Sequence, residues 1–324
     1  MFTHTYHDIT TVENVLQTWE RFRRGKRHAR DVALFEARLG EHLVELYRDL
    51  SERTYLHGPY SAFVVVDPKP RSIHKASVRD RVLHRLLYDV LYGYFDARFI
   101  HDSYSCRNSK GTHRALARFN DCARTVSKNN TRTCYVLKCD IKKFFTNIDQ
   151  SVLTNILQRH IADDGIRWLI DKVLSSFSAG RPGIGLPLGN LTSQLFANVY
   201  LHEFDRYVKQ ELRVKHYVRY ADDIVVLADN REHLISLLPK LQMFLQANLH
   251  LQFHEDKVRI ATWASGIDFL GWVHFPYHRQ LHTVTKRRIV SRMRWYPRPE
   301  TVLSYRGLLR HGNTYDLQRR LNFL

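Results

Sequence analysis

The chain has 324 residues, with 50 Lys and Arg against 32 Asp and Glu, and a formal net charge of +18 at pH 7. Its 44% hydrophobic and 12% aromatic content is enough to bury a substantial core, which excludes a disordered basic tail. The length predicts two or three lobes, because domains usually hold roughly 100–200 residues. The excess positive charge predicts a polyanionic partner, either nucleic acid or an anionic membrane surface.

The sequence does not favour a membrane or the secretory route. No apolar run approaches the roughly 18 residues of a membrane-spanning helix, and residues 1–8 lack the basic and apolar segments of a signal peptide. The four cysteines, at 106, 122, 134 and 139, show no Cys-x-x-Cys pairing and no histidine at zinc-ligand spacing. We therefore predict reduced thiols in a cytoplasmic protein that binds nucleic acid.

The basic residues are clustered in three parts of the chain. Residues 21–30 contain six Lys and Arg and no acid, and residues 69–118 contain eleven against four Asp. Residues 279–324 contain eleven against two acids, which is half of the whole excess. A single basic run is most simply a solvated face. Three such runs around a less basic centre predict the walls of a groove for a phosphate backbone.

In the first half of the chain, apolar spacing and turn residues predict helices around one short strand. The predicted elements are a helix over 31–52, a strand over 63–66, a turn at 67–70, helices over 78–95 and 112–127, and a strand over 134–139. The last of these strands runs directly into Asp140.

The second half of the chain mixes helices and strands. The predicted elements are two helices within 150–178, a glycine-rich break over 180–189, a helix over 190–212, two strands within 216–227, a helix over 231–248, strands within 251–275 and a basic helical tail after 283. The sequence contains no internal repeat and no Ser/Gly linker, so ordinary loops must join the lobes.

The most informative segment is Val218-Arg-Tyr-Ala-Asp-Asp-Ile-Val-Val-Leu227, in which strand-forming residues flank two adjacent acids. Neighbouring carboxylates at a hairpin tip repel each other, and a divalent cation relieves that repulsion. If the strand ending at Asp140 is a neighbour, Asp140 faces Asp222 and Asp223, and three carboxylates can then hold two metal ions for phosphoryl transfer. An isolated Asp-Asp pair would more simply be a surface turn, but the flanking strands and the basic groove argue against that.

Five segments resemble motifs of reverse transcriptases, in that family's order and spacing. They are the finger motifs Val78–Val82 and Ser103–Arg107 with Lys110-Gly111, the templating-pocket segment Gly185–Asn198, the active-site box Tyr220-Ala-Asp-Asp223 and the primer grip Phe269-Leu-Gly-Trp272. Each motif is weak alone. The specificity of the resemblance lies in their joint order over most of the chain.

The resemblance implies an α+β right-hand polymerase fold and RNA-directed DNA polymerase activity with two Mg²⁺ ions, for which Mn²⁺ can substitute. The expected parts are a helical extension over 1–60, fingers over 61–135, a palm over 136–280 with a finger insertion at about 150–182, and a thumb over 281–324. The implied partners are dNTPs, a structured template RNA and an RNA–DNA hybrid. After this thumb we expect no endonuclease, RNase H or maturase segment.

Two departures from the common pattern narrow the subfamily. Leu188 precedes the pocket glycine where many reverse transcriptases carry Gln, and Ser193-Gln194 stands where Ser-Pro is usual. This is similar to the enzymes of diversity-generating retroelements, which copy a template-repeat RNA with frequent errors opposite adenine and work with a small, basic, pentameric accessory protein. The Ser-Gln pattern also occurs in related bacterial enzymes, some of them in antiphage defence with their own non-coding RNA. The sequence does not separate the retroelement enzyme from the defence enzyme, and either one would be bacterial or phage-encoded.

The resemblance implies a role for each residue of the expected active site. The metal ligands would be Asp140, Asp222, Asp223 and the carbonyl of Ile141. Phe145 would be a steric gate that excludes a ribose 2′-hydroxyl, with core packing beside Phe144 as the alternative. Lys257 resembles the lysine proposed to protonate pyrophosphate, and a solvated strand-end lysine is the alternative.

The remaining candidates would bind the nucleotide, the primer or the nucleic-acid backbone. The residues expected to contact the dNTP are Lys69, Arg71, Arg107, Leu188, Gly189 and Gln194. The residues expected at the primer end are Phe269, Leu270, Gly271 and Trp272. The residues expected along the backbone of the hybrid are Lys286, Arg287, Arg288, Arg292 and Arg294. A template-backbone contact is the alternative for Arg71 and Arg107, and a capping or packing role is the alternative for Gln194. Arg79 and Arg81 could instead form ion pairs with Asp80 on their own helix.

The sequence disfavours two other classes of protein. A catalytically silent RNA-binding scaffold tends to lose the carboxylates, and all three are present. A carboxylate-dependent nuclease or transposase needs a different spacing of acids and lacks the finger and thumb motifs.

Overall fold

A computed structural model describes residues 2–66, 70–295 and 297–323. Its α-helices are α1 Tyr6–Ile9, α2 Val12–Arg23, α3 Arg30–Glu36, α4 Leu39–Ser51, α5 Val78–Asp96, α6 Thr112–Val126, α7 Phe144–Asn147, α8 Gln150–Gln158, α9 Asp164–Ser175, α10 Leu191–Arg206, α11 Arg231–Leu249, α12 Thr283–Trp295, α13 Pro299–Leu309 and α14 Tyr315–Arg320. Its strands are β1 Ser61–Val65, β2 Arg71–Lys75, β3 Tyr135–Asp140, β4 Tyr217–Tyr220, β5 Asp223–Ala228, β6 Arg259–Thr262, β7 Ile267–Phe269, β8 Trp272–His274 and β9 Arg279–Leu281.

The predicted single helix over 31–52 is wrong, because the chain forms α3 and α4 there. The break lies at Arg38, whose φ of −124° and ψ of 39° are not helical. The two helices bury different apolar side chains, Val32 and Phe35 in α3 but Leu43, Leu46 and Leu50 in α4. A single straight helix would not present both sets to the core. The predicted helix over 190–212 is confirmed, although its last turn, Tyr207–Glu211, is π-helical.

The central sheet has four antiparallel strands in the order β4-β5-β3-β6. Successive side chains of a strand point to opposite faces, and this sheet follows the rule. Ile224 and Val226 of β5 join the main core, whereas Val225 and Leu227 join a second apolar cluster beneath α6. Both faces of the sheet are therefore covered, which explains why its strands read as nearly continuous apolar runs.

The N-terminal helices share the main core with the rest of the chain. Trp19 of α2 is fully buried, and the same cluster contains Leu83 and Leu87 of α5 and Leu201 of α10. The N-terminal segment is thus an integral layer of the structure. Its side chains supply part of the apolar surface on which α5 packs.

Two small sheets flank the central one. The β1–β2 hairpin projects exposed side chains, and its strand β2 is tied to the glycine-rich segment, since His74 N donates to Leu188 O at 2.9 Å. The β7-β8-β9 sheet precedes the C-terminal helices, which enclose a separate apolar cluster around Ile289, Leu309 and Leu317. Within the described ranges, no helix is both long and apolar enough to span a bilayer.

Candidate active site

The strand register brings the three predicted carboxylates to one edge of the central sheet. Asp140, the last residue of β3, pairs with Asp223, the first residue of β5. Asp222 occupies the tight turn between β4 and β5, and its carbonyl accepts a hydrogen bond of 3.2 Å from Ile141 N. Because β3 and β5 are direct neighbours, residues far apart in the chain meet at this edge. The sequence-based expectation that the two strands lie side by side is confirmed.

Burial and mutual repulsion raise the pKa values of two of these carboxylates. Burial raises the pKa of Asp222, and the nearby Asp140 raises it further. Burial likewise raises the pKa of Asp223 to about 6, with added contributions from Asp222 and Asp140. Carboxylates are the hard oxygen donors that Mg²⁺ prefers. The donor set therefore fits a divalent cation, which would relieve the unfavourable crowding of negative charge.

Lys257 neutralises part of the negative charge of these carboxylates. Its Nζ lies 2.7 Å from Asp140 Oδ1, and the lysine side chain is 40% exposed. Lys257 ends a short 3-10 turn that begins at Glu255. In the described part of the chain, no three His, Cys, Asp or Glu side chains form a ready-made metal cage. A cation at this edge would have to compete with Lys257 for Asp140.

The fingers place one predicted arginine near the carboxylates. Arg71 begins the exposed strand β2, and its positive charge lowers the pKa of Asp222 against the effect of burial. Arg71 forms no side-chain hydrogen bond or ion pair with other residues of the described ranges. It is therefore available to an anionic ligand. Lys69, predicted beside it, lies outside the described residues.

The structure contradicts the prediction that Arg107 binds the triphosphate. Its Nε donates to Asp96 Oδ1 at 2.6 Å, and its Nη atoms donate to the carbonyls of Ile100, Ser103 and Asp96. The side chain is only 6% exposed. A guanidinium with four of its five donors used inside the protein stabilises the loop that follows α5 and cannot also hold phosphate oxygens.

Arg79 and Arg81 also have structural partners. Arg79 pairs with Asp49 of α4, and Arg81 pairs with Asp31 of α3. Arg79 lies 3.7 Å from Asp80, so the predicted ion pair on the same helix is its weaker contact. Asp80 itself is buried and accepts hydrogen bonds of 2.7 Å from the Tyr55 and Ser77 hydroxyls. This finger motif thus joins α5 to the N-terminal layer.

A small cavity connects the carboxylate turn with the predicted nucleotide pocket. The cavity, of about 20 Å³, is lined by Phe145, Gln194 and Ala221 together with Cys106 and Asn198. Phe145 is half-buried and also packs against the main core beside Phe144, at a ring-centroid distance of 5.3 Å. Phe145 and Gln194 were predicted to act at one pocket, and the fold does bring them together.

The templating-pocket segment is tied to the fingers hairpin. Besides the bond from His74 to Leu188, the side chain of Asn190 donates to His74 O at 2.9 Å. Gly189 has a φ of +109°, and a Cβ at this position would lie 2.8 Å from Ile73 Cγ2. Glycine is needed here for both reasons. Leu188 is half-buried beside this contact.

The predicted primer grip is the turn between β7 and β8. Leu270 and Gly271 have φ values of +51° and +82°, a pattern typical of a two-residue hairpin turn. Phe269 and Trp272 are buried in the cluster beneath α6. Leu270 is half-buried against the same cluster, so the predicted grip residues present mainly the backbone of the turn, and the neighbouring Asp268 is exposed. Trp272 in turn packs against Gly312, where an added Cβ would lie 2.8 Å from Trp272 Cη2.

The basic C-terminal helix α12 presents most of its positive charge to solvent. Lys286, Arg287, Arg292 and Arg294 are exposed and Arg288 is half-buried. Ile289 points the opposite way and is fully buried in the C-terminal cluster. The predicted basic face is therefore present on a helix that is anchored by its other side.

The fold places at the site two residues that were not predicted from the sequence, Arg219 and Gly312. Arg219 is fully buried three residues before Asp222, and an arginine within the apolar run of β4 was the available signal. Gly312 contacts the primer grip from the C-terminal helices, and no sequence signal distinguishes it from other loop glycines.

Carboxylates at the edge of an antiparallel sheet, a fingers hairpin above them and a basic helical thumb define a right-hand polymerase. The family model of reverse transcriptase (RNA-dependent DNA polymerase) matches residues 67–274, which is more than half of the chain. The chain belongs to the reverse transcriptase family. This bears out the fold class and the polymerase chemistry expected from the sequence.

Curated relatives and solved structures agree with the family. Protein YkfC of Escherichia coli is 24% identical over 285 residues, which cover 74% of this chain and 72% of the relative. The group II intron-encoded protein LtrA of Lactococcus lactis is 24% identical and matches 68% of this chain but only 38% of its own length. Apo telomerase from Candida tropicalis has a TM-score of 0.51 at 11% identity, over 68% of this chain and 48% of that one. The last similarity shows the fold alone.

Proposed function

We propose that this chain copies a dedicated non-coding RNA into cDNA by two-metal nucleotidyl transfer, with errors at template adenines as in diversity-generating retroelements. The pairing of Asp140 with Asp223 at the edge that also carries Asp222 is the observation that supports catalysis. The apolar Leu188 beside Gly189 supports loose base selection. An antiphage defence enzyme with its own RNA is the alternative, because Ser193-Gln194 is shared with that group.

The protein's own residues would divide the work of the reaction. Asp140, Asp222, Asp223 and the Ile141 carbonyl would hold two divalent ions, which stabilise the attacking and leaving oxygens when bound. Arg71 would bind the triphosphate from the fingers side. When Asp140 binds a cation, its ion pair with Lys257 would break. The released Lys257 ammonium would then be able to give a proton to pyrophosphate.

The nucleic acid would lie between the primer grip and the thumb. The Leu270-Gly271 turn would place the primer end, and the exposed face of α12 would follow the backbone of the RNA–DNA hybrid by shape and charge. Retention of all three carboxylates argues against a silent scaffold. If the chain acts in a diversity-generating retroelement, a small, basic, pentameric accessory protein would be a further partner.

A primer-extension assay tests the activity directly. The purified chain, an RNA template, a DNA primer, Mg²⁺ and dNTPs should yield template-dependent cDNA. Absence of cDNA with Mg²⁺ and with Mn²⁺, while the chain still binds the RNA, would support the scaffold instead. The genes beside this one separate the two biological roles, because a template/variable repeat pair and a small basic gene belong only to the retroelement.

Leu188→Gln is expected to lower misincorporation opposite template adenine. A polar amide in the pocket would add hydrogen-bond selection, and such selection rejects mismatched groups more strongly than an apolar wall does. Sequencing of the cDNA measures the error spectrum, with Leu188→Met as a matched apolar control that should keep it. An unchanged spectrum in Leu188→Gln would remove Leu188 from the determinants of fidelity.

Phe145→Ala is expected to weaken discrimination against ribonucleotides by about tenfold or more, since removal of a bulky contact opens room for a 2′-hydroxyl. The ratio of kcat/KM for a dNTP and its rNTP measures the effect. Phe204→Leu is the control, because Phe204 is buried in the same core but does not line this cavity, so its loss should lower stability without changing that ratio. Equal ratios in Phe145→Ala and the wild type would leave Phe145 as a packing residue.

A further inference from the structure

Arg219 is a buried charge whose side chain reaches the catalytic turn. The residue is 0% exposed, and its partner Asp205 on α10 is 0% exposed as well. Arg219 Nε and Nη2 lie 2.7 and 2.6 Å from the two oxygens of Asp205. Such a pair is not needed for stability alone, because apolar residues of similar volume often stabilise a core as well or better. Its presence beside Asp222 calls for another explanation.

The other donors of Arg219 join three parts of the structure. Nη2 also donates to Ser103 Oγ at 3.2 Å, and Nη1 donates to Asn198 Oδ1 at 3.3 Å and to Ala221 O at 3.2 Å. All five guanidinium donors are thereby used. Their partners lie in the fingers segment, in α10 and in the turn between β4 and β5.

The contact with Ala221 matters because that residue is strained. Ala221 has a φ of +53°, a left-handed conformation that costs a non-glycine residue about 1–2 kcal/mol. Its carbonyl belongs to the peptide unit that leads into Asp222. A hydrogen bond to this carbonyl fixes the plane of that peptide and hence the direction in which Asp222 leaves the turn.

We propose that Arg219 is a positioning residue that holds the Ala221–Asp222 peptide for cation binding and couples it to the fingers through Ser103. This inference rests on the proposed function, since it concerns the same carboxylates. Because Arg219 is fully buried, we expect it to act through the turn and not by contact with the reactants. The bidentate pair with Asp205 holds the guanidinium in place, and the guanidinium holds the turn.

Arg219→Lys tests the proposal because it keeps the charge but not the planar fork of donors. We expect the Mg²⁺ concentration for half-maximal dNTP incorporation to rise about tenfold or more, as is usual when a partner behind a metal ligand is lost. Mn²⁺ binding without nucleotide, measured by calorimetry, should weaken to a similar degree. The dissociation constant for the template–primer should stay within about twofold of wild type, because Arg219 is fully buried.

Tyr217→Phe is the matched control. The Tyr217 hydroxyl also donates to Asp205 Oδ1, at 2.7 Å, from the same strand, but it does not contact the turn. This variant should lose thermal stability and keep the wild-type Mg²⁺ dependence. If both variants lose stability while Arg219→Lys keeps wild-type Mg²⁺ and Mn²⁺ dependence, Arg219 is only structural and the proposal is overturned.

A second variant tests the proposal in case Arg219→Lys does not fold. Asn198→Ala leaves the Arg219–Asp205 pair intact and removes one partner of Nη1, so a smaller shift of Mn²⁺ affinity in the same direction is expected. Wild-type Mn²⁺ affinity in that variant would overturn the proposal. An inactive wild-type protein that still binds Mn²⁺ would instead contradict the proposed polymerase function, and the Mn²⁺ comparison would still decide the role of Arg219.

Discussion

Replacement of both Asp222 and Asp223 by Asn is expected to abolish Mg²⁺-dependent incorporation of dNTPs while RNA binding survives. The neutral amides cannot replace carboxylates as ligands, and the loss of several kcal/mol of metal assistance corresponds to about three orders of magnitude or more in rate. The variant should be at least as stable as wild type. Because the folded-state pKa of Asp223 is raised from 3.8 to about 6, ionised Asp223 destabilises the fold at neutral pH, and Asn removes that penalty.

Asp229→Asn is the matched control for this double variant. Asp229 follows the far end of β5 and is exposed, so the same change of chemistry falls just beyond this strand and away from the site. It should leave the rate and the Mg²⁺ dependence unchanged. Primer extension and a filter-binding assay with the template RNA measure the two quantities. Full activity in the double variant would refute the assignment of these carboxylates.

Gly312→Ala is expected to weaken template–primer binding by about tenfold, which corresponds to about 1.4 kcal/mol. The added methyl group would meet the ring of the buried Trp272, so the C-terminal helices must move away from the primer grip. Overpacking of this kind costs about 1–3 kcal/mol. The φ of Gly312 lies outside the left-handed region, so the effect would come from the contact and not from backbone strain.

Gly307→Ala provides the comparison for this prediction. Gly307 lies within α13 on the same group of helices, and an added Cβ would find no atom within 4 Å. Alanine favours a helix over glycine by about 0.5–1 kcal/mol, so this variant should be neutral or slightly more stable. Equilibrium binding of a labelled template–primer and thermal unfolding distinguish the two variants. Equal affinities in both would show that the Trp272 contact does not set the position of the thumb.

The residues that chemistry demands were predictable from the sequence, and the ones that geometry alone selects were not. Adjacent acids within an apolar strand have few structural uses, so Asp222 and Asp223 stood out, and Asp140 followed from its place at a strand end. Arg107 illustrates the opposite case. Its motif suggested a phosphate ligand, but Asp96 and three carbonyls take its donors within the protein. A motif does not show which groups of the folded protein already bind a side chain.

The sequence by itself determined the family, the carboxylate edge and the order of the elements, because hydrophobic periodicity and the need for paired acids act locally along the chain. Only the tertiary structure decided which charges remain available. Arg71 stays available above Asp222, whereas Arg79, Arg81 and Arg107 are used in ion pairs within the protein. The ion pair of Lys257 with Asp140, the hydrogen bond from Arg219 to Ser103 and the contact of Gly312 with Trp272 all depend on distances between residues remote in sequence. Such distances follow from packing, and local patterns do not encode them.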